Sequence, residues 1–506
     1  MPGEPSFQSP SYSPPDLSHH LSIEARARLP NPMKAIWKVA QGKPGAISLA
    51  NGDPHHSLYP IHKMEFEIPS IASEDPVRAW RAGTGGSQII GASRDDPGPS
   101  SSRVSLNKAM AYTTGAGLPE TQDVLAKFTD IFHHPPNHRV TPSLGNFDAV
   151  TKCFRLLGEH GDSFLADEYT FSALTNAALP HGIRWVPVEI DAGGLIPDKL
   201  DALMQGWNTA TRGRKPHVLY LTPSGQNPTG STLTLERRQR IYALCRKWDL
   251  IIIEDDPYYF LQYEITAAGL SPEEPGFATR YAKQFTPSFL SMDVDGRVLR
   301  IDSFSKILAP GMRLGWITAS PLFTEKLVIY TDSSTMHPHG FGQVFVLELL
   351  GERGWGVDGF ARWLSSLRED YKRRRDAFLQ TFQDEVEAKA PGLAEISPPQ
   401  AGMFFWIKVN LQKHPRAVPA QSSNDDASTH NASALMEELF YELLEAGLVM
   451  MPASIFAIKQ EGQKSQIEER LNYFRATFAG TEETVKQGLS IFGPTLSKFF
   501  RDEKAA

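Results

Sequence analysis

The sequence predicts an α/β protein in which a large domain with a mostly parallel sheet is followed by a smaller α/β domain. Short, almost continuously apolar segments recur between residues 163 and 302, and stretches with helical spacing separate them. Strands that are apolar on both faces are typical of a parallel sheet covered by helices on both sides. The predicted strands are SFLAD (163–167), RWVPVEID (184–191), HVLYLTP (217–223), LIIIED (250–255) and RVLRID (297–302).

Apolar residues that recur every three or four positions indicate the helices between these strands. The Gly-rich turn YTTGAGLP (112–119) precedes an amphipathic run at 119–132, and a Ser/Gly/Asn turn at 143–146 opens the next helix. A third helix is predicted at 234–248. The elements predicted for the smaller domain are a long helix (359–388), a helix (433–446) that stops at Gly447, and strands in PPQAGMFFWIKVN, LVMMPA and LNYFRATFA.

Changes of composition divide the chain into segments. A Gly/Ser/Pro-rich stretch at 82–105 is interpreted as a loop insertion in the large domain, and a polar stretch at 411–432 as an insertion in the small one. The predicted segments are a disordered leader (1–21), an N-terminal segment that joins the small domain (22–60), the large domain (61–358) and the small C-terminal domain (359–506).

Length and composition suit a globular enzyme. The chain has 506 residues, enough for two or three domains, with a formal net charge of −7. No long basic run accompanies this acidic balance, which argues against nucleic acid as a partner. No apolar stretch reaches the ~18 residues of a membrane span, so no membrane partner is expected.

Cysteine and histidine usage indicates neither disulfides nor a metal site. Cys153 and Cys245 lie in helix-like patterns and are expected to be reduced core residues. Adjacent histidines at 55–56 and 133–134 cannot place both rings on one helix face, and neither pair belongs to an H-E-x-x-H motif, so no metal is expected. The Pro/Ser-rich start lacks the apolar core of a signal peptide, and the C-terminal DEKAA is not an address signal; the expected location is the cytoplasm.

Three polar side chains follow predicted strand ends. Asn227, Asp255 and Lys306 each come directly after one of the apolar segments. Ligands of parallel α/β sheets bind outside the carboxyl ends of the strands, so we expect these side chains to lie together at a ligand site.

The stretch IDSFSKILAPGMRLGW (301–316) contains the residue around which that site is organised. A lysine amine such as that of Lys306 forms a Schiff base only when it can lose its proton, and partial burial lowers its pKa towards that point. Ser303, Ser305 and Arg313 suit a bound phosphate. An amine for an aldehyde beside groups for a phosphate suggests pyridoxal phosphate. The alternative S-x-x-K serine-nucleophile motif requires S-D-N and K-T-G partners, which the chain lacks.

Pyridoxal chemistry makes further demands that other residues meet. The pyridine nitrogen needs a carboxylate to stay protonated, and Asp255 is the candidate. Tyr258 and Asn227 can donate to the phenolic oxygen, and the turn at 145–147 offers backbone N–H groups to a phosphate. The α-carboxylate of a substrate needs an arginine, which binds carboxylates in a bidentate manner.

Four motifs, in this order, resemble those of the class I/II pyridoxal-phosphate aminotransferases of fold type I. They are NPTG (227–230), DDPY (255–258), SFSKILAPGMRLGW (303–316) and NYFRATF (472–478). The strings ISLANGDP, AYTTGAGLPE, SGQNPTG, IIEDDPYYFL and PPQAGMFFWI are similar to the aromatic amino acid and 2-aminoadipate/kynurenine subgroup. The resemblance spans roughly residues 25–490 and implies a mostly parallel, seven-stranded-type sheet in the large domain.

The resemblance also implies roles for individual residues. Lys306 would bind the cofactor covalently and then act as general base and acid. The resemblance further implies that Asp255 contacts the pyridinium, that Tyr258 and Asn227 contact the phenolic oxygen, and that Phe171 stacks on the ring. The implied phosphate contacts are Ser303, Ser305, Arg313, Gly145 and Asn146 of the same subunit and Tyr112 of the neighbouring subunit. The implied substrate contacts are Arg475 at the α-carboxylate with Asn227 and the Gly52 backbone beside it, and Lys34 at a distal carboxylate.

The implied enzyme is a homodimer with shared active sites. It would move the amino group of tyrosine, phenylalanine or tryptophan to 2-oxoglutarate by a ping-pong cycle. Alternatives are 2-aminoadipate or kynurenine as the donor, another reaction on the same fold, and a ligand sensor, which would carry an N-terminal DNA-binding domain. The family often has Gly-Gly where Asn51–Gly52 and Ala401–Gly402 stand, and often Tyr at Phe171, so the selectivity for the substrate side chain stays open.

Overall fold

The computed structural model describes residues 14–41, 43–45, 52–94, 104–265, 270–271, 274–419, 430–459 and 466–501. Its strands are β1 (Lys63–Pro69), β2 (Ser87–Ser93), β3 (Arg139–Ser143), β4 (Ser163–Asp167), β5 (Arg184–Val188), β6 (Ile190–Asp191), β7 (Gly194–Leu195), β8 (Val218–Leu221), β9 (Ile251–Asp255), β10 (Val298–Ser303), β11 (Gly315–Ala319), β12 (Ala394–Glu395), β13 (Phe404–Val409), β14 (Met451–Pro452) and β15 (Tyr473–Thr477).

The helices alternate with these strands through most of the chain. They are α1 (Ile23–Ala27), α2 (Pro32–Gln41), α3 (Pro76–Arg81), α4 (Leu106–Met110), α5 (Pro119–His133), α6 (Asn146–Leu157), α7 (Ser172–Ala178), α8 (Pro197–Gln205), α9 (Thr209–Arg212), α10 (Leu235–Trp248), α11 (Phe277–Ala282), α12 (Pro321–Asp332), α13 (Gly340–Leu349), α14 (Gly356–Phe382), α15 (Ala432–Glu445) and α16 (Glu482–Phe499). No helix in these ranges is both long and apolar enough to cross a bilayer.

The large domain is built on a seven-stranded sheet with the order β3-β11-β10-β9-β8-β4-β5. Each of the five strands predicted from the sequence contributes a strand to it, and these five run parallel to one another. The end of the predicted strand 184–191 forms β6, which pairs with β7 in a separate two-stranded sheet. The added strand β11 is antiparallel to both of its neighbours, so the sheet is mixed but mostly parallel. The predicted fold class is thereby confirmed.

Two strands of this sheet were missed in the sequence. β3 contains Pro142, which cannot donate to a ladder and argues against a central strand; β3 is an edge strand, where the missing N–H costs nothing. β11 is only five residues long and directly follows the turn around Pro310, so its buried run GWITA was interpreted as part of a turn-rich segment.

A buried charge network lies beneath the carboxyl ends of β9 and β10. The Arg300 guanidinium is fully buried, and its Nη1 lies 3.1 Å from Glu254 Oε1. Its Nε and Nη2 donate to both oxygens of Asp302 at 2.9 and 2.8 Å, and Asp256 lies 3.6 Å from Nη1. Arg300 is the shared counter-ion of these three buried carboxylates.

The small domain is a four-stranded antiparallel sheet, in the order β12-β13-β15-β14, covered by α15 and α16. The long helix α14 connects the two domains. Phe360 and Leu364, near its start, pack in the core of the large domain, whereas Phe378 and Phe382 pack in the core of the small one. The predicted boundary at residue 359 is therefore displaced, because it falls inside a helix that serves both cores.

The leader is ordered from residue 14 onwards. Leu17 and Leu21 are buried against α6 and the large sheet, and the Ser22 N–H donates to the Leu156 carbonyl at 2.8 Å. The prediction of a disordered leader was wrong for residues 14–21, because two leucines suffice to anchor a Pro/Ser-rich segment; residues 1–13 lie outside the described residues.

The N-terminal segment packs on the large domain and not on the small one as predicted. Ala25 belongs to the core beneath α6, and Glu24 forms an ion pair with Arg155 at 2.7 Å. Lys34 pairs with Asp332 at 2.6 Å, at the end of α12. That pairing engages the amine that was considered for a distal substrate carboxylate.

The stretch interpreted as a loop insertion contains a strand. β2 pairs antiparallel with β1 from Ser87 to Ser93, and Ile90 and Ala92 are buried. The interpretation of 82–105 as a loop was wrong for β2, because its glycines interrupt the alternation of apolar and polar residues that predicts a strand. Residues 95–103 lie outside the described residues. The polar stretch 411–432 likewise begins inside the small domain, where Leu411 is buried, and residues 420–429 are not described.

We predict that Arg300→Met destabilises the protein severely. The substitution leaves Glu254, Asp256 and Asp302 without their counter-ion in the interior, which costs about 3–5 kcal/mol. The thermal unfolding midpoint of the purified protein measures the effect. Arg139→Met is the matched control, because Arg139 on β3 forms an exposed ion pair with Glu325 of α12. Equal midpoints for the two variants would contradict the prediction.

Candidate active site

The carboxyl ends of the parallel strands bring the predicted site residues to one edge of the sheet. Asp255 is the last residue of β9, and Ile301 of β10 is its register partner. β10 ends at Ser303, and the turn that follows carries Lys306. Asn227 lies in the loop after β8. Adjacent parallel strands thus place Asp255 and the Lys306 turn at one edge of the sheet, and the loop with Asn227 follows the next strand, β8.

Asp255 is buried and held by two donors. The Tyr220 hydroxyl donates to its Oδ2 at 2.8 Å, and the Asn146 side-chain amide donates to its Oδ1. Burial raises the pKa of the carboxyl to about 6, whereas the two hydrogen bonds and the charge of Arg300 act in the opposite direction. These donors favour the ionised form that a pyridinium partner must have.

The Lys306 amine is half-buried and unengaged. Among the described residues, no side chain or carbonyl accepts a hydrogen bond from its Nζ. Burial lowers its pKa below the ordinary value for lysine, and the positive charge of Arg475 lowers it further. A lysine without a partner, whose neutral form is favoured, is suited to act as a nucleophile and as a base.

The residues predicted to bind a phosphate lie between the Lys306 turn and the start of α6, and we call their arrangement the cradle. The Ser303 hydroxyl donates to Ser305 Oγ at 2.8 Å. Arg313 donates to the carbonyls of Pro310 and Leu144, both at 2.8 Å, which holds its guanidinium across Gly145. Gly145 precedes the first turn of α6, and no side chain caps the N–H groups of that turn. A helix N-terminus with an arginine beside it is an anion site.

Gly145 allows this close approach for two reasons. Its φ is +89°, in the region that favours glycine, and a Cβ there would lie 2.6 Å from Arg313 Nη2. Any side chain at this position would displace the guanidinium from the cradle.

Arg475 reaches the site from the small domain. It lies on β15, and its guanidinium sits between the rings of Phe404 and Phe456, at 4.5 and 4.8 Å from their centroids. Its Nη1 donates to Asn227 Oδ1 at 2.7 Å. Aromatic faces stabilise the guanidinium and restrict its plane. The arginine is therefore pre-oriented, with further donors left for a carboxylate.

The other predicted site residues differ in burial and in the residues that they contact. Tyr258 is buried against Phe404, and burial together with the charge of Asp255 raises its pKa. Phe171 precedes α7, beside the Phe456 backbone, to which the Thr170 N–H donates at 2.9 Å. Tyr112 is exposed, with its ring against His337, and Gly52 is exposed with open space around it. Neither residue has a hydrogen bond or ring contact with Lys306 in the described part of the chain.

Sequence reasoning missed two contributors to the site, Tyr220 and Phe456, and the side-chain contact of a third, Asn146. Tyr220 was part of a predicted strand, and its hydroxyl in an otherwise apolar run was the signal that it needs a polar partner. Asn146 was expected to contribute its turn to a phosphate, and its side chain instead binds Asp255. Nothing in the sequence indicated that Phe456 would cover Arg475, because Phe456 lies outside the strands, between β14 and β15, and Arg475 lies on β15.

These residues fit pyridoxal phosphate. An unengaged lysine for the aldehyde, a buried carboxylate for the ring nitrogen and a cradle that a Cβ would fill for the phosphate lie in one cleft. Asn146 Oδ1 is buried in this cleft with no partner among the described residues. A mixed α/β sheet with this arrangement at its carboxyl edge defines a lysine-dependent pyridoxal-phosphate enzyme.

Comparison with known proteins gives the family. Residues 95–492 match the family model for aminotransferase class I and II, and the chain belongs to that family. It is 52% identical to the L-tyrosine:2-oxoglutarate aminotransferase amt1 of Serpula lacrymans and 50% identical to atrD of Tapinella panuoides, which has the same activity name, with 96% of each chain covered in both cases. The crystal structure of the aminotransferase Aro8 from Candida albicans matches with a TM-score of 0.82 at 32% identity, over 97% of this chain and 99% of that one.

We predict that Gly145→Ala weakens cofactor binding. The added Cβ displaces the Arg313 guanidinium, and the loss of one charge-assisted phosphate contact lowers affinity about 10–100-fold. Titration of the apoprotein with pyridoxal phosphate, followed by absorbance, measures the change. The control is Gly161→Ala, since Gly161 has a similar φ of +91° but open space around it. A variant at 145 that binds as tightly as the control would rule out the cradle.

Proposed function

We propose that this protein transfers the amino group of an aromatic L-amino acid, with tyrosine as the leading candidate, to 2-oxoglutarate. The observation that carries the proposal is the convergence of Lys306, Asp255 and Arg475 in one cleft. The names of the two relatives at 52% and 50% identity support the choice of donor and acceptor. The products are an aryl-pyruvate and glutamate, formed in two half-reactions at the same site.

In this proposal the cofactor contacts are divided among three parts of the cleft. Lys306 would hold the aldehyde group, Asp255 would pair with the pyridine nitrogen, and Ser303, Ser305, Arg313 and the turn at Gly145 would hold the phosphate. Tyr258 and Asn227 would donate to the phenolic oxygen, and Phe171 would lie against the ring. When bound, pyridoxal phosphate supplies an electron sink that acidifies the α-carbon hydrogen of an attached amino acid.

Arg475 binds and orients the α-carboxylate of each substrate. Its donation to Asn227 leaves other N–H groups of the guanidinium free for a carboxylate, and the two phenylalanine rings hold its plane. Tyrosine and 2-oxoglutarate share this carboxylate, so one arginine serves both half-reactions. The contact with Arg475 would orient the substrate so that its α-carbon faces Lys306.

Lys306 moves the proton. Its Nζ would take up and release the proton of the substrate α-carbon, which requires an amine that is neutral for part of the time. Burial and the nearby Arg475 charge lower its pKa in the required direction. Asp255 stays ionised beside the ring nitrogen because Tyr220 and Asn146 donate to it.

Lys306→Ala should abolish turnover, because it removes both the attachment point and the proton carrier. We expect a loss of at least about 10³-fold in tyrosine transamination. Lys247→Ala, at an exposed lysine paired with Asp201, is the control and should keep full activity. Turnover near that of the wild type in the Lys306 variant would refute the assignment.

The donor is tested with the same protein and no oxo acid. Addition of L-tyrosine alone should change the visible absorbance of the bound cofactor and release 4-hydroxyphenylpyruvate in stoichiometric amount. Other donors then rank by the same signal. An absorbance that tyrosine and phenylalanine leave unchanged, and 2-aminoadipate changes, would replace the aromatic assignment while the cofactor assignment stands.

We also propose that the active unit is a homodimer. Leu29, Met33, Ile36 and Val39 are all more than 60% exposed, an apolar surface that a second copy would cover. Tyr112 is exposed, with its ring against His337, so it is available to a neighbouring subunit.

Sedimentation of a Met33→Glu/Val39→Glu variant tests the dimer. Two charges in the covered surface should shift the protein to the monomer and lower its activity, since each site loses the partner's Tyr112. Val294→Glu, at another exposed apolar position, is the control. Sedimentation of the double variant as the wild type does would contradict this surface.

The compartment is proposed to be the cytoplasm. Both cysteines, Cys153 and Cys245, are free and buried, which fits a reducing compartment. Cell fractionation with an antibody to the protein tests this location, and enrichment with organelles would contradict it.

A further inference from the structure

The edge of the large sheet opposite the candidate active site carries two histidines and an aspartate in contact. His19 and His20 belong to the turn Ser18–His20 of the leader, and Asp249 lies between α10 and β9. His19 Nε2 is 2.7 Å from Asp249 Oδ2, and His20 Nε2 is 3.2 Å from Asp249 Oδ1. One ligand atom from each residue lies within 4.8 Å of the other two. We call these three residues the leader cluster.

A second pair of residues continues the cluster into the protein. His20 is 1% exposed, and its Nδ1 lies 3.1 Å from the Nδ1 of His217. The other ring nitrogen of His217, Nε2, lies 3.3 Å from Asp162 Oδ2. Asp249, His20, His217 and Asp162 therefore form a continuous chain with three polar contacts.

This series of contacts lacks one proton or cation. Each neutral imidazole carries a single N–H proton, and ionised carboxylates carry none, so two protons must serve three contacts. If His20 donates through Nδ1 to His217, its own Nε2 is bare and faces a carboxylate oxygen. If His217 donates instead, its Nε2 is bare in front of Asp162. Either arrangement leaves two electron-rich atoms opposed.

The missing proton or cation belongs at the leader cluster. His20 Nε2 is buried and has no hydrogen-bond partner of acceptable geometry among the described residues. A buried nitrogen lone pair that points at a carboxylate, with a second imidazole beside it, is the arrangement of a metal ligand set.

We propose that the leader cluster binds one zinc ion through His19, His20 and Asp249. Two imidazoles and a carboxylate are preferred zinc ligands, and a water completes a four-coordinate site because His19 and Asp249 are half-exposed. With the ion on His20 Nε2, the Nδ1–H donates to His217, whose Nε2–H donates to Asp162. All three contacts are then satisfied, as the outer hydrogen bonds of metal-bound histidines usually are.

The ion joins the leader to the large domain. Leu17 and Leu21 flank the histidines and pack on the core of the large domain. The zinc therefore adds metal-ligand bonds to an apolar contact that already holds the leader. Arg297 Nη1 lies 3.6 Å from Asp249 Oδ1 and opposes a cation, but the Arg297 guanidinium is itself paired with Asp295 at 2.9 Å. The site is at the opposite edge of the sheet from Lys306, so its role is structural.

The absence of metal expected from the sequence rested on spacing within single stretches. His19 and Asp249 are 230 positions apart, and only the folded leader brings them together.

Zinc binding to the holoenzyme tests the proposal. Full-length protein without a histidine tag is stripped with a chelator, then titrated with zinc chloride against a chromophoric competitor, and metal content is measured by mass spectrometry. We expect one equivalent per chain. Asp249→Asn should weaken binding at least about 10-fold, and asparagine tolerates the φ of +53° at this position, so the fold is kept. His55→Ala/His56→Ala is the matched control, because this exposed pair has no carboxylate partner among the described residues.

Hydrogen exchange of residues 17–27 gives a second readout. Zinc should slow exchange of this segment in the wild type and in the control but not in Asp249→Asn, while transamination stays unchanged in all three. No zinc uptake would overturn the proposal, as would equal affinity in Asp249→Asn or exchange that is insensitive to zinc. A His20 that is protonated at neutral pH in the metal-free protein and excludes zinc would likewise overturn it.

Discussion

The burial of four acidic side chains at the ends of two adjacent strands depends on one guanidinium, that of Arg300. Glu254, Asp256 and Asp302 are its ion-pair partners, and a buried charge persists only when it is paired and hydrogen-bonded. Asp255 points to the other face of β9, as alternation requires, and the same guanidinium lowers its pKa against the effect of burial. One network thus stabilises the strand ends and helps to leave an ionised carboxylate in the cleft.

The second requirement is that two domains meet at the cleft. Asn227 belongs to the large domain and Arg475 to the small sheet, yet they share a hydrogen bond at 2.7 Å. The backbones of Gly225 and Gly402 approach so closely that a Cβ on Gly225 would lie 2.5 Å from Gly402 Cα. These glycines hold the loop that carries Asn227 against the small domain, and this contact determines where Arg475 can point.

The parts of the site that could be predicted follow local rules. Asp255 and Lys306 follow apolar strands, and parallel strands end at a common edge, so their proximity required only the fold class. The parts that could not be predicted are contacts between elements distant in sequence. Tyr220 and Asn146 meet Asp255 from a different strand and from a helix start, and Phe456 covers Arg475 from a loop.

The errors at the N-terminus have the same origin. Composition alone suggested a disordered leader and a glycine-rich loop, since Pro, Ser and Gly lower the apolar content on which periodicity depends. The anchoring of Leu17 and Leu21, and the pairing of β1 with β2, rest on surfaces that other parts of the chain supply. A few apolar residues order such a segment when a preformed core is available.

The sequence by itself determined the α/β class, the five parallel strands and the positions of the lysine, the carboxylate and the arginines, because periodicity and strand ends are local properties of the chain. Only the tertiary structure decided which side chains hold Asp255 and Arg475, where the leader packs, and how His19 and His20 meet Asp249. Those contacts depend on distances between elements, which burial and packing of the whole core set and no single stretch encodes.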